Sequence, residues 1–214
     1  MTISVIIPTL NEATDIEETI KSVAGAGEII VSDGGSSDQT RDCARRHDAK
    51  VIDAPVGRAS QMNAGAAVAR GEVLLFLHAD TWLQPGALEN LAAVVRNPRV
   101  AGGAFARFFR SDSSFLRFTC ALAYLRNQAF GWHLGDQAIF CRASIFRELG
   151  GFRRMRAFED VDFSRRLSRR GKIVTLKPPA LSSARRFDCG PILRTWRDCV
   201  LTVRYLTRPG QFQM

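Results

Sequence analysis

Three aspartates stand where a carboxylate can do chemistry. Asp33 follows the apolar run EIIVS, Asp80 follows EVLLFL, and Asp160 sits in FEDVDFSRRL. Ligands of open parallel sheets gather beyond the carboxyl ends of the strands, so Asp33 and Asp80 are expected to face one crevice. A carboxylate there hydrogen-bonds a nucleotide or holds a hard cation. Mg²⁺ and Mn²⁺ typically take one or two carboxylates together with substrate phosphates. A single aspartate of this kind caps a turn or helix equally well, but three at matching topological positions point to a site. Glu159, Asp160 and Asp162 read alone as an acidic helix start that the helix dipole favours. Asp136 and Gln137, after Gly135, are placed to touch a sugar or an acceptor. Trp132 and His133 lie nearby, and Trp132 suits a stacking surface or the core equally well.

Several familiar phosphate and nucleophile signatures are missing. There is no GxxxxGK[ST], no GxGxxG after the first strand and no GxSxG. P-loop enzymes, plain dinucleotide dehydrogenases and serine hydrolases all lose ground on that account.

The elements that must carry these residues read as alternating strands and helices in the first half. Strands are expected at 3–8, 28–32, near Val51 and at 72–77. Thr14 and Glu17 form a plausible capping box for the helix carrying Ile16, Ile20 and Val23. Further helices are expected from the 33–38 turn to about His47, over 59–70, and from Pro85 to the Asn97-Pro98 stop. Such alternation predicts an α/β fold with a mostly parallel sheet flanked by helices. The second half is less regular: strands at 100–109 and 136–141, and helices at 115–130, at about 160–170, and after Gly190-Pro191. In that last helix Ile192, Trp196, Val200 and Val203 share a side, and an apolar stripe of this kind usually faces a core. With 214 residues and no linker or repeat, a single domain is expected.

Charge divides the chain. Residues 1–103 hold 9 Lys+Arg against 13 Asp+Glu, whereas residues 104–214 hold 21 against 8. The first half reads as the nucleotide-binding side. The basic half reads as the acceptor side, suited to phosphate or an anionic surface. The five cysteines have no CxxC spacing, which argues against a disulfide framework or a zinc site and for a reducing, cytoplasmic setting. The start TISVIIPTL lacks signal-peptide features, and no apolar run reaches the length of a membrane span.

Taken together, SVIIPTLNE (4–12), EIIVSDGGSSDQT (28–40), GRASQMNAGAAVARGEVLLFLHAD (57–80) and GGF with FEDVDFSRRLSRRG (150–171) resemble a family 2 glycosyltransferase of the GT-A, Rossmann-like fold. The resemblance implies roles. Pro8, Asn11 and Glu12 lie along the nucleotide, Asp33 meets the base, usually uracil, and Arg58 and Asn63 flank the nucleotide and diphosphate. His78-Ala79-Asp80 occupies the DxD site, with Asp80 on a divalent cation, Mn²⁺ or Mg²⁺, and His78 replacing the first acid. Asp160 is the general base, with Glu159 positioning the acceptor or tuning that base. Arg185 and Arg186 could assist the diphosphate or acceptor. The implied reaction moves one sugar, with inversion, from a nucleoside-diphosphate sugar to a small-molecule or lipid hydroxyl. A processive QxxRW motif is absent, since Trp196-Arg197 in LRTWRD does not fit it. GRASQMNAGA, FLHADT, GDQAIF and SARRF further resemble short bacterial transferases associated with radical-SAM and selenium-related genes, some with an arsenosugar-biosynthesis label.

Two other classes compete. A sugar nucleotidyltransferase also has a nucleotide domain and a cation, but it usually carries a Gly-rich basic loop where this chain has PTLNEATD. A binder without catalysis, on nucleic acid or on the inner face of a membrane, would explain the basic half. No nucleic-acid fold signature is present, whereas the basic, amphipathic 191–206 segment suits peripheral contact with a membrane surface.

Overall fold

The computed structural model describes residues 1–187, 190–207 and 209–212. In the first half, strands β1 (Ile3–Thr9), β2 (Glu28–Asp33), β3 (Lys50–Asp53) and β4 (Val73–Phe76) alternate with helices α1 (Ile16–Ser22), α2 (Thr40–Arg46) and α3 (Arg58–Val68). A two-residue strand β5 (Thr81–Trp82) and helix α4 (Ala87–Val94) follow. The second half adds β6 (Val100–Phe109), α5 (Ser114–Phe130), β7 (Ile139–Arg142), α6 (Ala143–Glu148), α7 (Glu159–Leu167), β8 (Lys172–Ser182) and α8 (Pro191–Thr207).

All eight strands form one sheet in the order β3-β2-β1-β4-β7-β6-β8-β5, so the two halves of the chain share a single scaffold. The block from β3 to β4 is parallel, as the alternation predicts. Beyond it the sheet is mixed: β6 and β8 pair in parallel, while β7 runs antiparallel to β4 and β6, and β5 antiparallel to β8. Alternate residues feed opposite faces. Val5, Ile7, Val73 and Leu75 pack with α1 and α4 residues, whereas Ile6, Leu74 and Phe76 pack with Phe146, Phe152 and Phe163. Burial on both faces explains why these strands read as unbroken apolar runs.

Some boundaries differ from the sequence expectation for visible reasons. The Thr14–Glu17 capping box does not form: α1 starts at Ile16 behind Asp15, and Glu17 pairs with Lys21 instead. β7 begins at Ile139 because Gly135–Gln137 make a 3-10 turn. β8 was hidden by Pro178 and Pro179, residues that argue against a strand interior. They fall in an irregularity, between the pairings Phe105 with Leu176 and Arg107 with Ala180. Among the described residues, no helix is long and apolar enough to cross a membrane.

Candidate functional site

The strand order reverses direction around β1, which lies between β2 and β4, and this creates a crevice at their carboxyl ends. Asn11, in the loop leaving β1, takes a left-handed backbone (φ 56°). Its N–H donates to Ser36 Oγ at 2.8 Å, and its Oδ1 accepts from Ser37 N at 2.8 Å. The β1 loop is thus tied to the 33–38 turn. Asp33, fully buried at the end of β2, holds that turn in shape. Its Oδ1 accepts from Gly35 N (3.0 Å) and Ser36 N (2.8 Å), and its Oδ2 from Thr9 Oγ1 (3.0 Å) and Ser36 Oγ (2.5 Å). Burial opposes the charge, but these four donors outweigh it and hold the Asp33 carboxyl below its ordinary range.

Beyond β4 the chain turns through His78 and Asp80 into β5. Ser183 N donates to the Asp80 carbonyl at 2.9 Å, which brings the end of β8 alongside. Arg185 follows there and pairs with Asp15 and, at 3.4 Å, with Glu12. Glu12 is raised above the usual carboxylate range by burial first and then by the Asp80 charge. Asp80, Glu12, Asp15 and Arg185 therefore form one electrostatic group at the crevice. Among the described residues, no group of three or more His, Cys, Asp or Glu side chains could hold a metal ion. Asp80 supplies a hard oxygen donor in acidic surroundings, which fits a cation shared with substrate phosphates rather than one caged by protein alone.

A cavity of about 730 Å³ gathers a second set: Arg58, His78, Arg107, Asp136, Glu159 and Asp160. α8 supplies part of its wall through Arg194, Arg197, Leu201 and Thr202. Asp160 lies in the first turn of α7, and its Oδ2 accepts from Gly135 N at 2.5 Å and its Oδ1 from Val161 N at 2.8 Å. Burial and then the neighbouring Glu159 charge push its carboxyl from an ordinary 3.8 up to about 6, against the pull of the Gly135 N–H and Arg58. Glu159 in turn meets Arg58 Nη1 at 3.2 Å. Gly135 is required by this geometry: a Cβ there would lie 2.5 Å from His78 Nε2 and 3.4 Å from Asp160 Oδ2. Asp136 pairs with Arg107 Nη1 at 2.9 Å, and that carboxylate more than offsets the cost of burying the guanidinium.

The residue before the acidic pair is itself constrained. Phe158 is in the left-handed region (φ 68°), a conformation that persists in a non-glycine residue only when its surroundings enforce it. Tyr205 of α8 stacks on its ring at 5.0 Å, Phe212 meets it edge-on at 5.5 Å, and Arg156 N donates to the Phe212 carbonyl at 2.9 Å.

The sequence-nominated residues therefore separate. Arg58, His78, Asp136, Glu159 and Asp160 share the cavity, while Glu12, Asp80 and Arg185 share the crevice group with Asp15. Asn11 and Asp33 shape the adjoining turn, and Pro8 lies within β1 opposite Ser32. Asn63 spends its amide on both backbone groups of Phe152, at 2.8 and 2.9 Å. Gln137 is fully buried and bonds Phe105 O, Leu134 N and Arg126. His133 is buried against Thr175, and Trp132 lies under the Arg165 guanidinium; neither lines the cavity. The Arg186 side chain lies outside the described residues. Sequence reasoning missed Arg107, whose signal was a lone charge in the apolar strand VAGGAFARFF. It also missed the cavity wall from α8 and the 154–158 loop, which only tertiary packing reveals.

Carboxylates thus stand at the switch point of an α/β sheet, and an aspartate with a raised proton affinity stands in the cavity wall. The sequence profile "Glycosyl transferase family 2" matches residues 4–176, and the chain belongs to that family. It is 29% identical over 211 residues to the pre-mycofactocin glycosyltransferase of Mycobacterium tuberculosis, covering 91% of this chain and 44% of that relative. It is 31% identical over 185 residues to a PGL/p-HBAD biosynthesis glycosyltransferase of Mycobacterium bovis, covering 80% of this chain and 72% of the relative. The chain thus spans under half the length of the first of these relatives. S. aureus TarS, solved with UDP-GlcNAc, superposes with a TM-score of 0.67 at 18% identity, over 86% of this chain and 58% of that one. The Pyrobaculum calidifontis mannosyltransferase PcManGT, solved with GDP-Man and Mn²⁺, gives 0.66 at 22% identity, over 85% and 56%. These likenesses establish the GT-A fold.

Proposed function

We propose that this chain transfers one sugar, with inversion, from a nucleoside-diphosphate sugar, in the first place a UDP-sugar, to the hydroxyl of a small molecule or lipid. The observation that carries the reading is Asp160: a carboxylate buried in the cavity wall, hydrogen-bonded through both oxygens, with a proton affinity raised to about 6. A general base works best when its pKa lies near the working pH, and general-base assistance is worth about 10²–10⁴-fold. Asp160 takes the acceptor's proton while the acceptor oxygen bonds to the anomeric carbon. The bond from that carbon to the diphosphate oxygen breaks on the opposite face, so the anomeric centre inverts. Glu159, held by Arg58, keeps negative charge beside the base and raises its basicity.

The crevice residues take the donor in this reading. The four acceptor positions of Asp33 are already used by Gly35, Ser36 and Thr9. A base N–H is received only when the Thr9 or Ser36 hydroxyl turns away. Asp80 would hold a divalent cation, which when bound supplies Lewis-acid charge to the leaving diphosphate. Arg185, which pairs with Glu12 and Asp15, is placed to join the phosphates once it leaves them. The stretches GRASQMNAGA, FLHADT, GDQAIF and SARRF support placing the chain with the radical-SAM-associated transferases.

The test is a donor screen with Mn²⁺, following release of nucleoside diphosphate from UDP-, GDP- and dTDP-sugars. UDP-sugar turnover with an inverted product supports the proposal. Turnover of sugar 1-phosphate with a nucleoside triphosphate, and none of the sugar nucleotides, overturns it in favour of a nucleotidyltransferase.

A further inference from the structure

Two helices of the basic half are patterned against the usual rule. On α5 the buried positions include Leu116, Cys120, Ala123 and Asn127, yet Phe118, Leu122 and Leu125 face solvent at 60%, 49% and 63% exposure. Ala121 and Ala129 are exposed on the same helix, so its outer face is apolar with few polar interruptions. On α8 the stripe that sequence periodicity assigns to a core does the opposite: Ile192, Trp196 and Val203 are 69%, 69% and 60% exposed. The two helices touch. Scattered apolar residues on a surface are ordinary, but six large exposed ones lie on these two adjoining helices.

We propose that the adjoining outer faces of α5 and α8 dock on an anionic lipid bilayer. Charge selects that occupant. The two helices contain Arg117, Arg126, Arg194, Arg197 and Arg204 against a single acid, Asp198. Arg117 and Arg204 are exposed, and Arg117 makes a solvent-open contact with Asp112 at 3.7 Å. Apolar side chains rimmed by arginine match the boundary between acyl chains and anionic headgroups. A second copy of the chain would instead set arginine against arginine. The inference stands apart from the reaction assigned to the cavity, although α8 gives its inner face to that cavity. Docking would therefore bring a wall of the cavity to the lipid surface.

The test uses the whole chain and sedimentation with vesicles of phosphatidylcholine alone or with about 30 mol% phosphatidylglycerol, which supplies a negative surface potential. Binding is expected only to the anionic vesicles, weakening as salt is raised. Bromine-labelled acyl chains should quench tryptophan emission, and Trp196→Phe should remove most of that quenching, because Trp82 is buried and Trp132 is half-buried under Arg165. Phe118→Ser with Leu125→Ser should weaken partition about tenfold or more. Arg117→Gln and Arg204→Gln should each weaken it roughly fivefold. Unchanged melting curves confirm that the variants fold. The proposal is overturned if anionic vesicles leave the chain in solution at low salt. It is equally overturned if the Phe118/Leu125 variant binds as wild type, which would reduce the contact to charge alone. A dimer in light scattering that the same serine variants dissolve would give the face to a second copy instead.

Discussion

Replacing Asp160 by asparagine separates the two consequences of its buried carboxyl. The side chain keeps its size and loses its charge. Below pH 3.8 the carboxyl is protonated in both folded and unfolded chains. Between 3.8 and about 6 the folded chain keeps the proton that the unfolded chain releases, so stability falls as pH rises through this window. Above about 6 the cost is constant, on the order of 3 kcal/mol for that difference. Asparagine escapes this cost, but it has one oxygen where Asp160 accepts from both Gly135 N and Val161 N. One lost acceptor costs about 1 kcal/mol. The variant should therefore be slightly less stable than wild type near pH 4 and about 2 kcal/mol more stable at pH 7.5, or roughly 4–8 °C in Tm for a chain of this size. Catalysis should move the other way: single-turnover transfer should drop at least ~10²-fold while donor affinity stays within a few-fold. In the wild type the rate should lose a factor of ten per pH unit below about 6, and Glu159→Gln should shift that limb downward by removing the second cause of the raised pKa. A limb near pH 4, or a variant that transfers normally while losing donor affinity, would refute the assignment and send the search for the base to Glu159, Asp162 or Asp136. Until an acceptor is identified, slow donor hydrolysis serves as the readout.

Asp80→Asn should abolish the Mn²⁺ dependence of UDP affinity in calorimetry; a mutant that responds to Mn²⁺ as wild type does would remove Asp80 from the metal. Asp33→Ala strips acceptors from Thr9, Ser36 and Gly35, so it should cost about 1–3 kcal/mol of stability as well as nucleotide affinity. Nucleotide affinity that survives in a destabilised protein would leave Asp33 a purely structural residue. Gly135→Ala forces a methyl within 2.5 Å of His78 Nε2, and should lower donor hydrolysis roughly tenfold without a large change in melting temperature. Activity equal to wild type would show that the spacing between His78 and Asp160 does not matter to the reaction.

The parallel half of the sheet was legible because burial on both faces writes itself as runs such as SVII and EVLLFL, ended by polar turns. β8 was not, since its two prolines sit opposite a register shift that only β6 defines. The candidate site was legible wherever an acid ends a strand or opens a helix, as with Asp33, Asp80 and Asp160. What such local signals cannot give is company. Asp160 owes its raised proton affinity to burial by residues distant in sequence, and Gly135 contributes an N–H from 25 positions away. Asn63 and Gln137, polar residues in suggestive places, spend their amides on Phe152, Phe105 and Leu134, a use no spacing reveals. The stripe on α8 misled for the opposite reason: its period is genuine, yet the side that packs is set by Tyr205.

Phe158 connects two parts of the molecule that differ in kind. It precedes Glu159 and Asp160, and Tyr205 and Phe212 clasp its ring from the C-terminal side. Its left-handed backbone lasts only while that clasp holds. The start of α7, with Glu159 and Asp160, is therefore joined to α8 through one aromatic ring. If α8 rests on lipid as proposed, a displacement of that helix reaches the first turn of α7 through the Phe158 ring.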